Sequence, residues 1–335
     1  MRSLSFYDDR EDVMKKTPSL KAMFEEIERE RGIKEADLFA ALKDALLSAA
    51  KKRFENPDVL EVEITHEGVA KIIDKEKGVE VTPSDFGRIA AQTAKQVIIQ
   101  RLREAEKEGT YEEYIGKVGE IVTGVVQRRE SAGYLINLGR VETFLPVSES
   151  IYGENLRSKD RVKLLLQEVK KTSKGPVLII SRAHPDFVKR LFEAEIPEIK
   201  EGILEIKAIA REAGRRTKVA LTSHDPEVGV VGTCVGQMGN RIQTITREMG
   251  TERIDIIEWS EKPETFITHA LAPAKHAKVT IDEEHKTARV IMPDKDLSLA
   301  IGKEGQNVRL ASKLTGYKID IGSEEKKESD ENKGK

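Results

Sequence analysis

The stretch "IGKEGQNVRLASKLTG", residues 301–316, sets Gly302 and Gly305 around two residues at the mouth of a helix-patterned run. The stretch "VGQMGNRIQTITREMG", residues 235–250, repeats the arrangement 66 residues earlier. At that offset Val235 meets Ile301, Gly236 meets Gly302, Gly239 meets Gly305, Ile242 meets Val308 and Gly250 meets Gly316; after one gap "RIDI" meets "KIDI". Upstream of each loop lie two strand-like runs joined by a turn, "ILEIKAIAREAGRRTKVALTS" and "AKVTIDEEHKTARVIMP". Helical stretches around "PDFVKRLFEAEI" and "PETFITHALAP" come before them. Each unit therefore reads helix, strand, strand, helix, Gly-x-x-Gly, helix, strand, and two copies of such a unit are a duplicated domain rather than a solenoid.

A Gly-x-x-Gly connection leaves backbone N–H groups uncovered at the N-terminus of the second helix, where the helix dipole is positive. Without a Cβ on either glycine, a sugar-phosphate strand can touch the backbone itself. The KH module holds about four nucleotides of single-stranded nucleic acid in this way. Glycine before a helix is also ordinary punctuation, and a lone motif would be read as a tight turn; two copies in the same context favour a phosphate clamp. A nucleotide-triphosphate loop is excluded, because Glu304 stands where Ser or Thr must hold magnesium and the upstream glycine is missing. The candidate RNA-binding residues are Gly236, Gln237, Met238, Gly239, Asn240 and Arg241 in the first copy. In the second they are Gly302, Lys303, Glu304, Gly305, Gln306, Asn307 and Arg309. Gln237 and Met238 carry no charge, so Arg241 is the nearest cation there; Lys303 and Arg309 make the second loop the expected main phosphate site.

Toward the N-terminus, residues 115–182 hold five short β-rich runs, "GEIVTGVVQRR", "GYLINLGR", "VETFLPV", "DRVKLLLQEVKK" and "PVLIISR". Five strands in so short a span predict a small OB-type barrel. Residues 113–183 carry 12 basic and 8 acidic groups. Arg128, Arg129, Lys170, Lys171 and Lys174 read as a basic face, solvated or RNA-binding. Tyr134 and Phe144 are either base-stacking rings or barrel core, with Phe144 expected to be the core residue of the two.

Residues 19–54 are helical by pattern: Leu20, Met23, Phe24 and Ile27, then Leu38, Leu42, Ala45, Leu46 and Ala49 after Gly32. Thr17-Pro18 is a helix-start signal. "LEVEITHEGVAKII" alternates as strands around a turn at Glu67-Gly68, and helix returns from Ser84 to a stop near Gly109. Residues 1–112 hold 20 basic and 24 acidic groups, an acidic and mainly helical unit. Residues 323–335 contain no apolar side chain and are expected to be a disordered tail.

With 57 basic against 59 acidic residues in 335, any nucleic-acid surface is local rather than global. The single cysteine, Cys234, excludes an intrachain disulfide and a cysteine zinc site, and reads as a buried apolar residue. Trp259 is expected between the two repeats. No apolar run approaches bilayer length, so a cytoplasmic protein without membrane contact is expected. His66, His184, His224, His269, His276 and His285 form no metal-ligand spacing, and no nucleophile motif accompanies them. The expectation is no catalysis, no metal and no cofactor. RNA-degrading enzymes that carry such modules are the rival class, but the modules fill the chain; a ribosome-associated RNA-binding protein is the other alternative.

The strings "RIAAQTAKQVI", "LREAE", "GEIVTGVV", "VGTCVGQMGNRIQTI", "GTERIDI" with Trp259, and "AIGKEGQNVRLASKLTG" resemble the NusA family of bacterial transcription factors over residues 20–321. The resemblance implies a multidomain α+β chain: a helical N-terminal domain (1–112) that rides on RNA polymerase, an S1-type five-stranded OB barrel (113–183), and two tandem bacterial-type KH domains (184–262 and 263–322). Such a factor holds nascent single-stranded RNA and modulates pausing, termination and antitermination, as a monomer alongside other antitermination factors. In the barrel, Pro146 stands where the resemblance implies a histidine on the nucleic-acid face.

Overall fold

The computed structural model describes residues 20–54, 56–65 and 69–323, which form two compact units divided between Thr110 and Tyr111. In the first unit, α1 (Leu20–Arg31) and α2 (Glu35–Lys51) are separated at Gly32, whose positive φ of 71° lets its N–H close the last turn onto Glu28 O. The helical periodicity buries Phe24, Leu38, Leu42, Leu46 and Ala50 against Leu60, Val62, Ala70 and Ile72 of a sheet. That sheet is antiparallel, ordered β1 (Leu60–Ile64), β2 (Ala70–Asp74), β3 (Val79–Glu80). The third strand has no counterpart in the sequence expectation. The Thr17-Pro18 signal and the Glu67-Gly68 turn lie outside the described residues.

Helix α3 (Phe86–Ile115) overturns the expected stop near Gly109. One interior glycine costs a helix about 1 kcal/mol. The next turn more than offsets that, because Tyr114 is buried against the barrel and its hydroxyl donates to Leu138 O at 2.7 Å.

In the second unit the barrel strands are β4 (Ile121–Glu130), β5 (Gly133–Asn137), β6 (Glu142–Pro146), β7 (Arg161–Thr172) and β8 (Gly175–Ser181), in the order β6-β5-β4-β7-β8. Its edges approach, and Thr143 Oγ1 donates to Leu178 O at 2.5 Å, leaving a nearly closed five-strand barrel around Val126, Ile136, Leu145, Leu164 and Ile180.

The repeat folds as the sequence pattern requires. The first copy is α4 (Pro185–Glu195), α5 (Pro197–Lys200), β9 (Leu204–Glu212), β10 (Arg216–Ser223), α6 (Val230–Val235), α7 (Asn240–Met249) and β11 (Arg253–Glu258). The second is α8 (Pro263–Ala270), β12 (Lys278–Asp282), β13 (Thr287–Met292), α9 (Asp294–Ile301), α10 (Gln306–Thr315) and β14 (Lys318–Ser323). In each, the middle strand runs antiparallel to the strand before it and parallel to the last. Ser323, expected in the tail, closes β14; the rest of the tail lies outside the described residues.

Strand β10 explains how the copies join. Alternate residues point to opposite faces of a strand. Val219 and Leu221 enter the first copy's own core with Phe187, Phe192 and Ile245. Ala220, with Ala210 and Ile257, faces the other way and shares a core with Phe266, Ile267, Leu271 and Leu310 of the second copy. Small residues on that face let the helices of the second copy lie directly on the sheet. Trp259 packs against this shared core, edge-on to Phe266 at 6.4 Å, as expected. Lys218 sits in the same seam without solvent exposure, donating to Asp255 Oδ2 at 2.9 Å and Ala272 O at 3.1 Å. Burial pushes its pKa down, opposed by Asp255. The barrel joins through Arg182, which bonds to Glu154, Lys163 O and Glu248, while Ile151 and Leu165 enter the first repeat's core.

Candidate nucleic-acid interface

The two loops have the same backbone. Gly236 and Gly302 adopt φ/ψ of 74°/175° and 73°/174°, values open only to glycine. Met238 and Glu304 follow in the left-handed region (52°/21° and 56°/25°), as do Gly239 and Gly305 (77°/13° and 72°/16°). The glycines at the N-caps of α7 and α10 supply no side-chain cap, so the first N–H groups of both ten-residue helices are left for an external acceptor. Gln237, Met238, Asn240, Lys303 and Glu304 are exposed, Met238 at 94%. Lys303 has no ion-pair partner among the described residues.

Two of the expected RNA-contacting side chains are engaged in bonds within the domain, Asn307 fully buried and Arg241 partly exposed. Arg241 and Asn307 occupy equivalent positions and both fold beneath their loops. Arg241 Nη1 donates to Thr233 O at 2.9 Å and to the Glu198 carboxylate at 2.9 and 3.0 Å. Asn307 is fully buried, its Nδ2 donating to Leu271, Leu299 and Ala300 carbonyls. Thr233 and Leu299 are themselves equivalent across the repeat. A side chain at this position therefore ties the second helix to the end of the first and shapes the loop. The first loop consequently has no free cation of its own at that place.

Gln306 and Arg309 are turned toward the first copy. Gln306 Nε2 donates to Glu212 Oε2 at 2.9 Å, and Arg309 Nε donates to Glu212 Oε1 at 2.6 Å. The Arg309 guanidinium holds the Glu212 carboxyl below the usual carboxylate range. Nothing in the sequence singles out Glu212, an acid at a strand end whose partners lie 94 and 97 residues away.

On the barrel the expected order of the two rings is reversed. Tyr134 is 2% exposed and belongs to the core, so it presents no free face to a base; Phe144 is 37% exposed and lies over Gly133. The cause is strand register: Tyr134 pairs with Leu145, which places both inward, and Phe144 pairs with Leu135 on the other side. Arg128 is exposed on β4, bonded to Glu130 at 2.9 Å. Cys234 is buried, and burial pushes its thiol up to about 12, as suits a packing residue. No helix among the described residues is long and apolar enough to cross a membrane.

Comparison with known proteins accords with this architecture. The chain matches family models for the NusA N-terminal domain (residues 19–82 and 69–108), the S1 RNA binding domain (116–181), the NusA-like first KH domain (182–259) and the NusA-like second KH domain (263–329). It is 45% identical to the transcription termination/antitermination protein NusA of Halalkalibacterium halodurans over 89% of this chain and 86% of that protein. Against the protein of the same name from Bacillus subtilis it is 44% identical over 89% of each. The solution structure of the N-terminal domain of NusA from B. subtilis aligns at 32% identity over 26% of this chain and 96% of that one, with a TM-score of 0.23. With four matching domains in order and relatives this similar over nearly their whole length, the chain belongs to the NusA family.

Proposed function

We propose that this chain is a transcription factor that binds RNA polymerase through residues 1–112 and nascent single-stranded RNA through the barrel (113–183) and the two KH domains (184–262 and 263–322), modulating pausing, termination and antitermination. It acts in the cytoplasm, as a monomer, with other antitermination factors. The observation that carries the reading is the pair of loops with one backbone conformation, each opening an uncapped helix N-terminus, on domains that share a packed core. The charge division supports it, since residues 1–112 are acidic and the barrel is basic. The names of the relatives support the link to termination and antitermination.

The exposed loop residues carry the test. Replacing Lys303 and Glu304 together by Asp leaves Gly302 and Gly305 to make the turn, and Asp tolerates the left-handed backbone of position 304. The change places a new carboxylate against an incoming phosphate. Filter binding across a salt series is expected to show a sharp loss of affinity, with the log–log slope falling by roughly 0.7 for each phosphate no longer neutralised. Circular dichroism checks that the protein remains folded. A folded double variant with unchanged affinity and slope refutes the clamp. Residues 1–112, as an affinity bait, are expected to retain polymerase from a bacterial extract.

A further inference from the structure

A cleft of 340 Å³ opens beside the second loop, lined by Tyr152 from the barrel, Arg215 from the first KH domain, and Lys303, Glu304, Gln306 and Arg309 from the second. Its size lies at the small end of the range, about 300–1,000 Å³, that holds small ligands. Tyr152 is 67% exposed, and the Arg215 guanidinium lies over its ring at 5.2 Å. Arg215 is half-exposed, and Glu304 at 3.9 Å is its ion-pair partner.

This pair is held in place from two sides. Arg215 lies in the turn between β9 and β10, beside Gly214 with φ of 75°. A Cβ on Gly214 would fall 2.2 Å from Tyr152 O and 2.7 Å from Tyr152 N, so only glycine lets the turn press against the barrel backbone. From below, buried Glu252 accepts from Gly214 N at 2.7 Å, from Arg211 Nε at 2.9 Å and Nη2 at 3.0 Å, and from the Thr217 hydroxyl. A buried ion pair is a weak source of stability. Here it fixes the turn that sets Arg215 against Tyr152, and such preorganisation is what a binding site needs.

We propose that the cleft is a nucleotide subsite: an RNA strand held at the second Gly-x-x-Gly loop continues into it, stacking a base on the Tyr152–Arg215 pair with the adjoining phosphate between Arg215 and Lys303. The proposal rests on the RNA-binding reading above and deepens it by naming one nucleotide position at which all three domains meet the strand. Unpaired bases stack on tyrosine rings and on arginine planes. Lys303 and Glu304 are the two central residues of the loop, so a strand lying on that loop is already at the rim of the cleft. Glu304 occupies the phosphate position only through an exposed contact, which a phosphate displaces at little cost.

The test uses the full chain and an unstructured single-stranded RNA carrying one 2-aminopurine, moved along the strand position by position. For wild type, the fluorescence of one position next to the loop-bound nucleotides is expected to be quenched. Tyr152→Ala is expected to abolish that quenching and weaken binding by about 5-fold to 100-fold. Tyr152→Phe is expected to keep both, and Arg215→Gln to lower the salt slope by roughly 0.7. Because Tyr152 is largely exposed, its truncation is expected to leave the melting temperature unchanged. If the Lys303/Glu304 double variant loses affinity while Tyr152→Ala keeps wild-type affinity and quenching, the loop binds RNA and the subsite is refuted. If the double variant binds as wild type does, the loop reading fails and the subsite fails with it. A Tyr152→Ala defect that vanishes when affinity is expressed per folded molecule also overturns the proposal.

Discussion

The two glycines of the second loop are interchangeable in the motif and opposite in the structure. A Cβ on Gly302 would lie 2.8 Å from Asn307 Cβ and 2.9 Å from Asn307 N, so it points into the loop's own buried support. A Cβ on Gly305 meets nothing within 4 Å. Gly302→Ala therefore combines a backbone conformation closed to alanine, about 1–3 kcal/mol, with displacement of a side chain that makes three hydrogen bonds of about 1 kcal/mol each. Partial loss of those bonds brings the cost to about 2–5 kcal/mol. Gly305→Ala carries only the left-handed penalty, about 1–2 kcal/mol.

For a unit of this size 1 kcal/mol moves the melting temperature by about 2–4 °C. Gly302→Ala is thus expected to lower it by roughly 4–20 °C and Gly305→Ala by roughly 2–8 °C. RNA affinity is expected to follow the other order once both proteins are held where they are fully folded. The Gly305→Ala methyl stands in the open space that a strand on the loop would fill, so its binding weakens and its salt slope falls by about 0.7. Calorimetry and filter binding on the same samples decide the matter. Equal melting losses would mean that the inward and outward assignment is wrong. Wild-type affinity and slope for Gly305→Ala would mean that no strand approaches the loop from that side.

The barrel rings separate in the same way: Tyr134→Ala is expected to destabilise the second unit by about 3–5 kcal/mol, and Phe144→Ala to leave melting nearly unchanged while weakening RNA binding by about 1–3 kcal/mol. A melting loss for Phe144→Ala as large as that for Tyr134→Ala would overturn the burial assignment. Acid should release the Glu212 bridge between the KH domains. Its folded pKa is held down by Arg309, so its stabilisation is complete above the unfolded carboxyl value, about 4.3, and is lost as pH falls through the lower folded value. The melting difference between wild type and Glu212→Gln is expected to stay constant from pH 7 to about 5 and to shrink below about 4; a difference that widens on acidification contradicts this.

Much of the fold was legible because the pattern is duplicated. A helix beginning at Gln306 is an ordinary inference, but the same Gly-x-x-Gly context at Asn240 gave the whole domain its topology. The barrel phase was legible too: Tyr134, Ile136 and Leu138 alternate as one apolar face, as do Val141, Thr143 and Leu145, which leaves Phe144 in phase with Glu142 on the outside. Residue type alone does not distinguish the two rings; the phase does. Arg241 and Asn307 were harder, because the left-handed pair before each helix sets the rotation by which its first turn faces inward, and spacing does not reveal that rotation. Glu212 and Arg215 share one hairpin, but Tyr152 from the barrel and Gln306 and Arg309 from the second KH domain reach them only through packing of three domains. The one local sign is Gly214, a glycine between Ala213 and Arg215 whose close approach to Tyr152 no sequence pattern announces. At Gly109 the glycine signal was outweighed by tyrosines placed one turn later.

The cations around the second loop differ in what each must give up to meet a phosphate. Lys303 has no ion-pair partner among the described residues, and so meets an incoming strand without breaking a pair. Arg215 gives up only a 3.9 Å contact with Glu304. Arg309 is bonded to Glu212 at 2.6 Å and is part of the seam between the KH domains before it is part of any RNA surface. For the proposed function this ranks Lys303 and Arg215 ahead of Arg309, although Arg309 lies on α10, the helix that the loop opens. An overall acidic chain can hold RNA in this way because the cations are local, and Glu212 and Glu252 beside them are committed to bonds within the fold. Under the proposed function the first loop, with Arg241 bonded to Glu198 and Thr233, would contribute through backbone N–H groups and through position. Because both loops ride on domains with a shared core, a strand bound at the second is presented to the first at high effective concentration. A weak first site of this kind adds affinity without needing a charge of its own.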